Sequence, residues 1–231
     1  MRYLGGKCRL GKKIAEVINR YANMDKNYIE PFVGGFWVTQ HVSNNFKNKY
    51  CYDINKYMIE LYKALQKGWE PPVNITKEEY LFIRNNKDID MALTAFAGIG
   101  CSFAGKWFGG YAKSAGGRNY CLNSYNSCNK IRHLLNNIIF NSINFKELNP
   151  DSAVIYCDPP YNNTTGYGFS GDFNSEEFWA IMRIWAKNNT VLISEYKAPH
   201  DFKCIAEFNT KTDIRNKNNQ KEYRIEKLFT I

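Results

Sequence analysis

Apolar and polar positions change their period several times along the chain, and each change marks an expected element. In KKIAEVINRYA, residues 12–22, the side chains of Ile14, Val17, Ile18 and Tyr21 share one face at helical spacing. The period then collapses into NYIEPFVGG, a short buried strand ending in a glycine turn, and FWVTQHVSNNF reads as the helix after it. NKYCYDIN predicts a second strand ending at Asp53, and KYMIELYKALQKG a second amphipathic helix stopped by Gly68. Strand, turn, helix, strand and helix at this spacing predict a βαβ unit, hence an α/β fold with a parallel sheet.

Between residues 70 and 130 the pattern changes. KEEYLFIRNN and MALTAFAGIG predict helices, but GCSFAGKWFGGYAKSAGGRNY breaks every period. Gly98, Gly100, Gly105, Gly109, Gly110, Gly116 and Gly117 all fall there, out of 16 glycines in the chain. A glycine-dense, aromatic, lysine-bearing loop of that length points to function. NSYNSCNKIRHLL returns to helix, and NIIFNSIN and SAVIYC to strand. NSEEFWAIMRIWAK opens with a capping-box spacing from Asn174 to Glu177 and predicts another helix. TVLISEY and IEKLFTI read as strands, with the polar loop TDIRNKNNQKEYR before the last. The expected architecture is a doubly wound, mostly parallel sheet from residues 1–55 and 131–231, with a small helical and glycine-rich insertion at 56–130.

Composition narrows the partners. The 231 residues are 44% hydrophobic, enough for one domain with a real core. Lys and Arg outnumber Asp and Glu by 31 to 22, and a net charge of +9 favours nucleic acid or an anionic membrane surface. The longest apolar runs are strand-sized, and MRYLGGKCRLGKK lacks the apolar centre of a signal peptide, so a cytoplasmic protein is expected. Seven scattered cysteines without a C-x-x-C pair argue against a disulfide framework and a structural zinc site.

Ligands of open parallel sheets bind beyond the carboxyl ends of the strands. Three groups fall there: Glu30 to Gly35, Asp53, and Asp158 to Tyr161. Adjacent glycines let backbone approach a ligand, and Asp53 stands where a carboxylate grips ribose hydroxyls. FVGGFWV lacks the G-x-G-x-x-G run of a pyrophosphate site, so a nucleoside cofactor such as S-adenosylmethionine suits it better. DPPY, from Asp158 to Tyr161, is the stronger signal. An exocyclic amine of a base is a poor nucleophile because its lone pair is delocalised. The Asp158 carboxylate and the Pro159 carbonyl can accept its two protons and draw the nitrogen toward sp3 geometry. Pro159 and Pro160 stiffen the loop and preorganise the acceptors, and Tyr161 offers a ring to a base taken out of the duplex.

DPPY after one strand, EPFVGG after an earlier one, and RYLGGK at the N-terminus make this chain resemble the Dam-type DNA adenine N6-methyltransferases. The resemblance runs from Arg2 to about Tyr196, in the same motif order, and the late SEYKAP and EKLF resemble phage-borne members. It implies a Rossmann-like methyltransferase fold whose insertion is the target-recognition domain. S-adenosylmethionine would be held by Tyr3, Gly5, Gly6, Lys7, Glu30, Pro31, Phe32, Gly34, Gly35, Asp53, Ile54 and Asp158, with Asn144 and Phe145 at its adenine. It implies double-stranded DNA as partner, cleared of membrane roles, and the restriction-modification setting of a bacterial host or phage-infected cell; GATC as target follows by analogy alone. Phe36 departs from the family, which usually has a further glycine there, and its placement bears on the methionine end of the cofactor.

In the insertion, Lys106, Lys113 and Arg118 alternate with Trp107, Phe108, Tyr111 and Tyr120. Basic groups there contact phosphates or guanine edges, an aromatic fills the hole left by an extruded base, and Asn119, Asn123 and Asn126 are candidate readers of adenine, with Asn too abundant to single one out. Arg215, Lys217, Lys221 and Arg224 make a second basic loop. Rival readings remain. GKCRLGKK nearly satisfies a phosphate loop, but Lys13 stands where Ser or Thr must bind magnesium, and no strand can precede it. A relative acting on a glutamine amide or RNA shares the Pro-Pro-Tyr logic, yet Asp158 stands where amide-modifying members carry Asn. A cytosine-N4 enzyme, which more often has Ser first in the tetrapeptide, and a catalytically silent DNA-binding module stay open.

Overall fold

The computed structural model describes residues 1, 3–112, 119–160, 173–215 and 221–231. Strands β1 (Asn27–Glu30), β2 (Lys49–Tyr52), β3 (Ile138–Asn141), β4 (Ala153–Cys157), β5 (Thr190–Glu195), β6 (Lys203–Arg215) and β7 (Lys221–Thr230) form one 7-stranded sheet in the order β3-β2-β1-β4-β5-β7-β6. The pairs from β3 through β5 are parallel, and β7 runs antiparallel between β5 and β6. β4 is buried at every position, as its unbroken AVIYC run requires of a central strand covered on both faces.

Helix α1 (Gly11–Ile18) covers one face, burying Ile14 and Ile18 against Tyr28, Val154, Tyr156, Leu192 and Leu228. Helix α6 (Ser175–Trp185) covers the opposite face, burying Phe178 and Met182 against Ile155, Val191 and Ile193. Asn174 caps α6 by accepting from the Glu177 amide at 3.1 Å, while the Glu177 carboxylate turns away to pair with Lys146. The predicted capping box is therefore half formed.

Helices α2 (Lys56–Gln66), α3 (Lys77–Asn85), α4 (Met91–Ala95) and α5 (Tyr120–Arg132) lie over β2 and β3. Tyr62 of α2 stacks on Phe140 of β3 at 5.1 Å, and Gln66 donates to the Leu135 and Ile138 carbonyls, both at 2.8 Å. Tyr80, Phe96 and Ile99 join Phe36, Cys51 and Phe140 in the same buried cluster. The helical segment 56–130 thus packs on the sheet through one continuous core. Among the described residues, no helix is long and apolar enough to cross a membrane. All seven cysteines are free thiols.

Two elements differ from expectation. FWVTQHVSNNF forms only a short 3-10 turn, Thr39–His41, instead of a helix. Its β-branched Val38, Thr39 and Val42 are buried, with Val38 and Val42 against α1, whose Gly11 approaches so closely that a Cβ there would lie 2.0 Å from the Trp37 carbonyl oxygen. Asn19 pins the turn, donating to the His41 carbonyl at 3.2 Å and accepting from the Ser43 amide at 2.8 Å. The helix that packs this part of the sheet comes from before β1, leaving no groove for a second one. The polar TDIRNKNNQKEYR is mostly strand as well, because β6 and β7 extend into a long antiparallel hairpin up to the pairing of Arg215 with Lys221. There the backbone ladder outweighs the lack of apolar alternation.

Candidate active site

The strand order reverses between β1 and β4, which opens a crevice beyond their carboxyl ends, and a cavity fills it. Glu30 closes β1, Asp53 follows β2 and Asp158 follows β4, and all three line this cavity.

Asp53 is buried with both oxygens engaged. It accepts from the Gly34 amide and from the Asn55 amide, each at 2.8 Å. Asn55 then caps α2 by accepting from the Tyr57 and Met58 amides at 3.2 and 3.4 Å. From the other side, the Tyr62 hydroxyl donates to the Gly34 carbonyl at 2.6 Å. Gly34 has φ +44°, and a Cβ there would meet the Tyr3 ring at 3.2 Å, so the turn demands glycine twice over. Burial raises the Asp53 carboxyl to about 6, against the two amide donors that favour its charge.

Phe36, the departure from the expected glycine, takes up φ 62°. Its ring is fully buried and packs against Tyr62 and Phe140, with centroids 5.6 and 6.0 Å apart. The side chain runs into the core below the turn and does not line the cavity. Trp37 does line it. A Cβ on either Gly6 or Gly35 would lie 2.7 Å from the Trp37 indole, so both glycines are spaces that the ring has claimed. The Trp37 Nε1 atom is buried with no partner among the described residues.

Lys7 enters from the N-terminal turn. The Gly6 amide donates to the Tyr3 carbonyl at 3.0 Å, with Gly5 at φ 72°, and the Lys7 carbonyl starts α1 by accepting from Leu10 and Gly11. The Lys7 Nζ sits 2.7 Å from Asp158 Oδ1 and 3.3 Å from Glu226 Oε1. Burial works against the ammonium, but the two carboxylates outweigh it and hold Lys7 above its ordinary value.

Glu30 is buried and accepts from the Tyr28 hydroxyl at 2.8 Å and from the Thr39 hydroxyl. Burial pushes its carboxyl up to about 8, against the stabilising hydroxyls and with a further push from Asp158. A raised carboxyl contributes stability in full below its unfolded value of 4.5 and loses that contribution as pH rises through about 8. Thermal midpoints measured from about pH 5 to about pH 8 are therefore expected to fall with a shallower slope in Glu30→Gln than in the unaltered protein. Asp53 and Glu195, the latter raised by burial to about 7, act over the same range, so the difference between the two slopes is the readout. Identical slopes would exclude a buried, titrating Glu30.

The structure brings most of the sequence-predicted groups around this one cavity. Tyr3, Gly5, Gly6, Lys7, Glu30, Pro31, Phe32, Gly34, Gly35, Asp53, Ile54, Asn144, Phe145, Asp158, Pro159 and Pro160 all line it. Tyr161 lies outside the described residues. Sequence reasoning missed Trp37, Asn55, Lys146 and Phe173, which line the cavity too. Phe32, Phe145 and Phe173 form an aromatic wall, with ring centroids 5.1 to 6.4 Å apart. Asn174 at a helix cap was the available signal for Phe173, since a cap places its neighbour at an element boundary.

The insertion presents its groups unevenly. A tight loop closes where the Phe103 amide donates to the Gly110 carbonyl at 2.9 Å, with positive φ at Ala104, Gly105, Phe108 and Gly110. The Leu4 amide donates to the Gly105 carbonyl at 3.2 Å, tying this loop to the cavity's N-terminal segment. Lys106 is exposed, but Trp107 packs on Tyr57 and Phe108, with centroids 5.3 and 4.8 Å apart. Phe103, which sequence reasoning passed over, is the exposed aromatic of the loop at 67%. Tyr120 is half-buried at the start of α5 and Asn126 is exposed on it. Lys113 and Arg118 lie outside the described residues, as do Lys217 and the side chains of Arg215, Lys221 and Arg224.

Residues 3–90 match the family model of the D12 class N6 adenine-specific DNA methyltransferases. The chain is 26% identical over 218 residues to a type II methyltransferase, M.CviBI, of Paramecium bursaria Chlorella virus NC1A, covering 84% of this chain and 81% of that protein. It is 28% identical over 236 residues to a DNA adenine methylase of Vibrio cholerae serotype O1, covering 87% and 82%. A solved rRNA methyltransferase, AviRa from Streptomyces viridochromogenes, aligns with a TM-score of 0.43 at 10% identity, over 96% of this chain and 84% of that one.

Proposed function

We infer that this chain is a DNA methyltransferase of the D12 adenine-specific class, moving a methyl group from S-adenosylmethionine to N6 of adenine. The observation that carries this reading is the meeting of two fixed carboxylates in one cavity. Asp53 is locked onto a glycine turn, and Asp158 is locked onto Lys7.

The cavity suits the cofactor on its own chemistry. Asp53 supplies acceptors for ribose hydroxyls, and Ile54, Asn144 and Phe145 line the wall near it. The unpaired Trp37 N–H is a donor at the glycine cradle, where backbone of Gly6 and Gly35 comes closest. With Phe36 turned into the core, the cradle keeps its space for the methionine end. S-adenosylmethionine supplies a methyl group on a sulfonium, which needs no metal and no covalent enzyme intermediate.

The chain's own residues prepare the acceptor. Asp158 accepts a hydrogen bond from one N6 proton and the Pro159 carbonyl from the other, which localises the nitrogen lone pair for direct in-line attack. A base inside a duplex cannot reach a cavity of this kind, so the adenine is flipped out, at a cost of a few kcal/mol, roughly, in lost stacking and pairing. The Pro-Pro pair keeps the acceptors in place without further ordering. Exposed Lys106 and Phe103, on the loop that the Leu4 amide ties to the cavity's N-terminal segment, contact the double-stranded DNA.

Incubating unmethylated genomic DNA with protein and cofactor, then mapping modified bases by sequencing, tests the reading directly. N6-methyladenine in a fixed sequence context is expected, and the map supplies the target sequence. N4-methylcytosine in its place would overturn the base assignment, and unmodified DNA would overturn the activity.

A further inference from the structure

Glu226 belongs to the last strand, far in sequence from every motif discussed so far. On β7 the side chains alternate. Glu226 and Leu228 are 5% and 0% exposed, while Ile225 is 45% exposed and Lys227 reaches Glu207 at 3.2 Å. Leu228 packs with Ile14, Ile18 and Tyr156, so Glu226 faces the α1 side of the sheet. A carboxylate at a core-facing position is costly unless it is paired. Its partner there is Lys7, the same ammonium that holds Asp158.

We propose that Glu226 is a positioning residue for methyl transfer, tethering Lys7 so that the ammonium fixes Asp158 without monopolising its charge. This rests on the reading of Asp158 as the acceptor of an N6 proton. The two carboxylates act on Lys7 from different elements, β7 and the loop after β4. Glu226 therefore sets where Nζ stands, and Nζ sets where Asp158 Oδ1 stands. The ammonium is already in full contact with Asp158, at 2.7 Å, and without the second carboxylate at 3.3 Å its whole field would fall on Asp158 and weaken it as a hydrogen-bond acceptor for the substrate amine. Sharing the charge returns acceptor strength to Asp158. Buried Tyr156 and Ser194, hydrogen-bonded at 2.8 Å, stiffen the sheet beside this bridge.

Single-turnover methylation and cofactor binding by calorimetry test the proposal in five proteins: unaltered, Glu226→Gln, Glu226→Asp, Lys7→Met and the double variant of Lys7→Met with Glu226→Gln. Glu226→Gln is expected to lower the transfer rate about 10- to 100-fold while leaving the cofactor Kd within about threefold. Glu226→Asp, which keeps the charge, is expected to recover part of that rate. In the Lys7→Met background, adding Glu226→Gln is expected to cost at most about twofold, since the ammonium through which Glu226 acts on Asp158 is gone. A merely structural Glu226 would lose the same factor in both backgrounds, and that result overturns the proposal, as does Glu226→Gln at the unaltered rate. If Glu226→Gln alone does not fold, the comparison of Lys7→Met with the double variant still decides. A further loss of about tenfold there is fatal. Failure of the unaltered protein to methylate DNA would instead reject the reading of the site, and this proposal with it.

Discussion

Replacing Asp158 with alanine is expected to slow methyl transfer to DNA by roughly a thousandfold or more. The carboxylate is an acceptor fixed in advance, held by Lys7 at 2.7 Å and followed by two prolines, so its contribution carries no cost of reorganisation. Alanine also leaves the buried Lys7 ammonium with one anchoring carboxylate fewer, which costs stability of its own. Asp158→Asn separates the two effects, because it keeps the shape and an oxygen but gives up the charge. Single-turnover rates for both variants, with folding checked by circular dichroism, provide the measurement. Asp158→Ala within about tenfold of the unaltered rate removes Asp158 from the chemistry, whereas Asp158→Asn at that level would show that an acceptor oxygen suffices without the charge.

The second large effect is on the cofactor. Asp53→Ala is expected to weaken S-adenosylmethionine binding roughly a hundredfold, the order expected for losing charge-assisted hydrogen bonds to two hydroxyls. The same change releases the Gly34 and Asn55 amides, both held at 2.8 Å, so the glycine turn and the start of α2 loosen together. Affinity should also decline as pH drops through about 6, where the raised Asp53 carboxyl takes up its proton and gives up acceptor capacity. Titration calorimetry at several pH values measures both. A Kd in Asp53→Ala within about threefold of the unaltered protein would end the assignment of Asp53 to the ribose.

The parts of the site legible in the sequence were those where the residue type is itself the mechanism. Glycines 34 and 35, Asp53 and the Asp-Pro-Pro run each come soon after the end of a parallel strand, and strand ends of an α/β sheet converge. Their meeting around one cavity follows from topology that the apolar runs already indicate. Phe36 was illegible because the relevant fact is a backbone angle. At φ 62° its ring goes to the core, beside Tyr62 and Phe140. Nothing in the residue types around Trp107 foretells that its ring packs on Tyr57 and Phe108 while Phe103 stands exposed on the same loop. The missing helix after β1 is a tertiary matter, decided by α1 reaching that groove first. Glu226 had a signal, a charged residue in register with the buried Leu228, but only the pairing with Lys7 gives it meaning.

The single core running from Phe36, Cys51 and Phe140 through Tyr62 to Tyr80, Phe96 and Ile99 has a consequence for exchanging segments between this protein and its relatives. Segment 56–130 is not a cassette. Exchanging it for that of a relative would strip the cover from β2 and β3 and leave the cofactor turn without the Tyr62 hydroxyl that holds Gly34. A graft that keeps the fold has to carry the facing residues of the sheet along with it, whereas substitutions at exposed positions such as Phe103 and Lys106 leave this core intact.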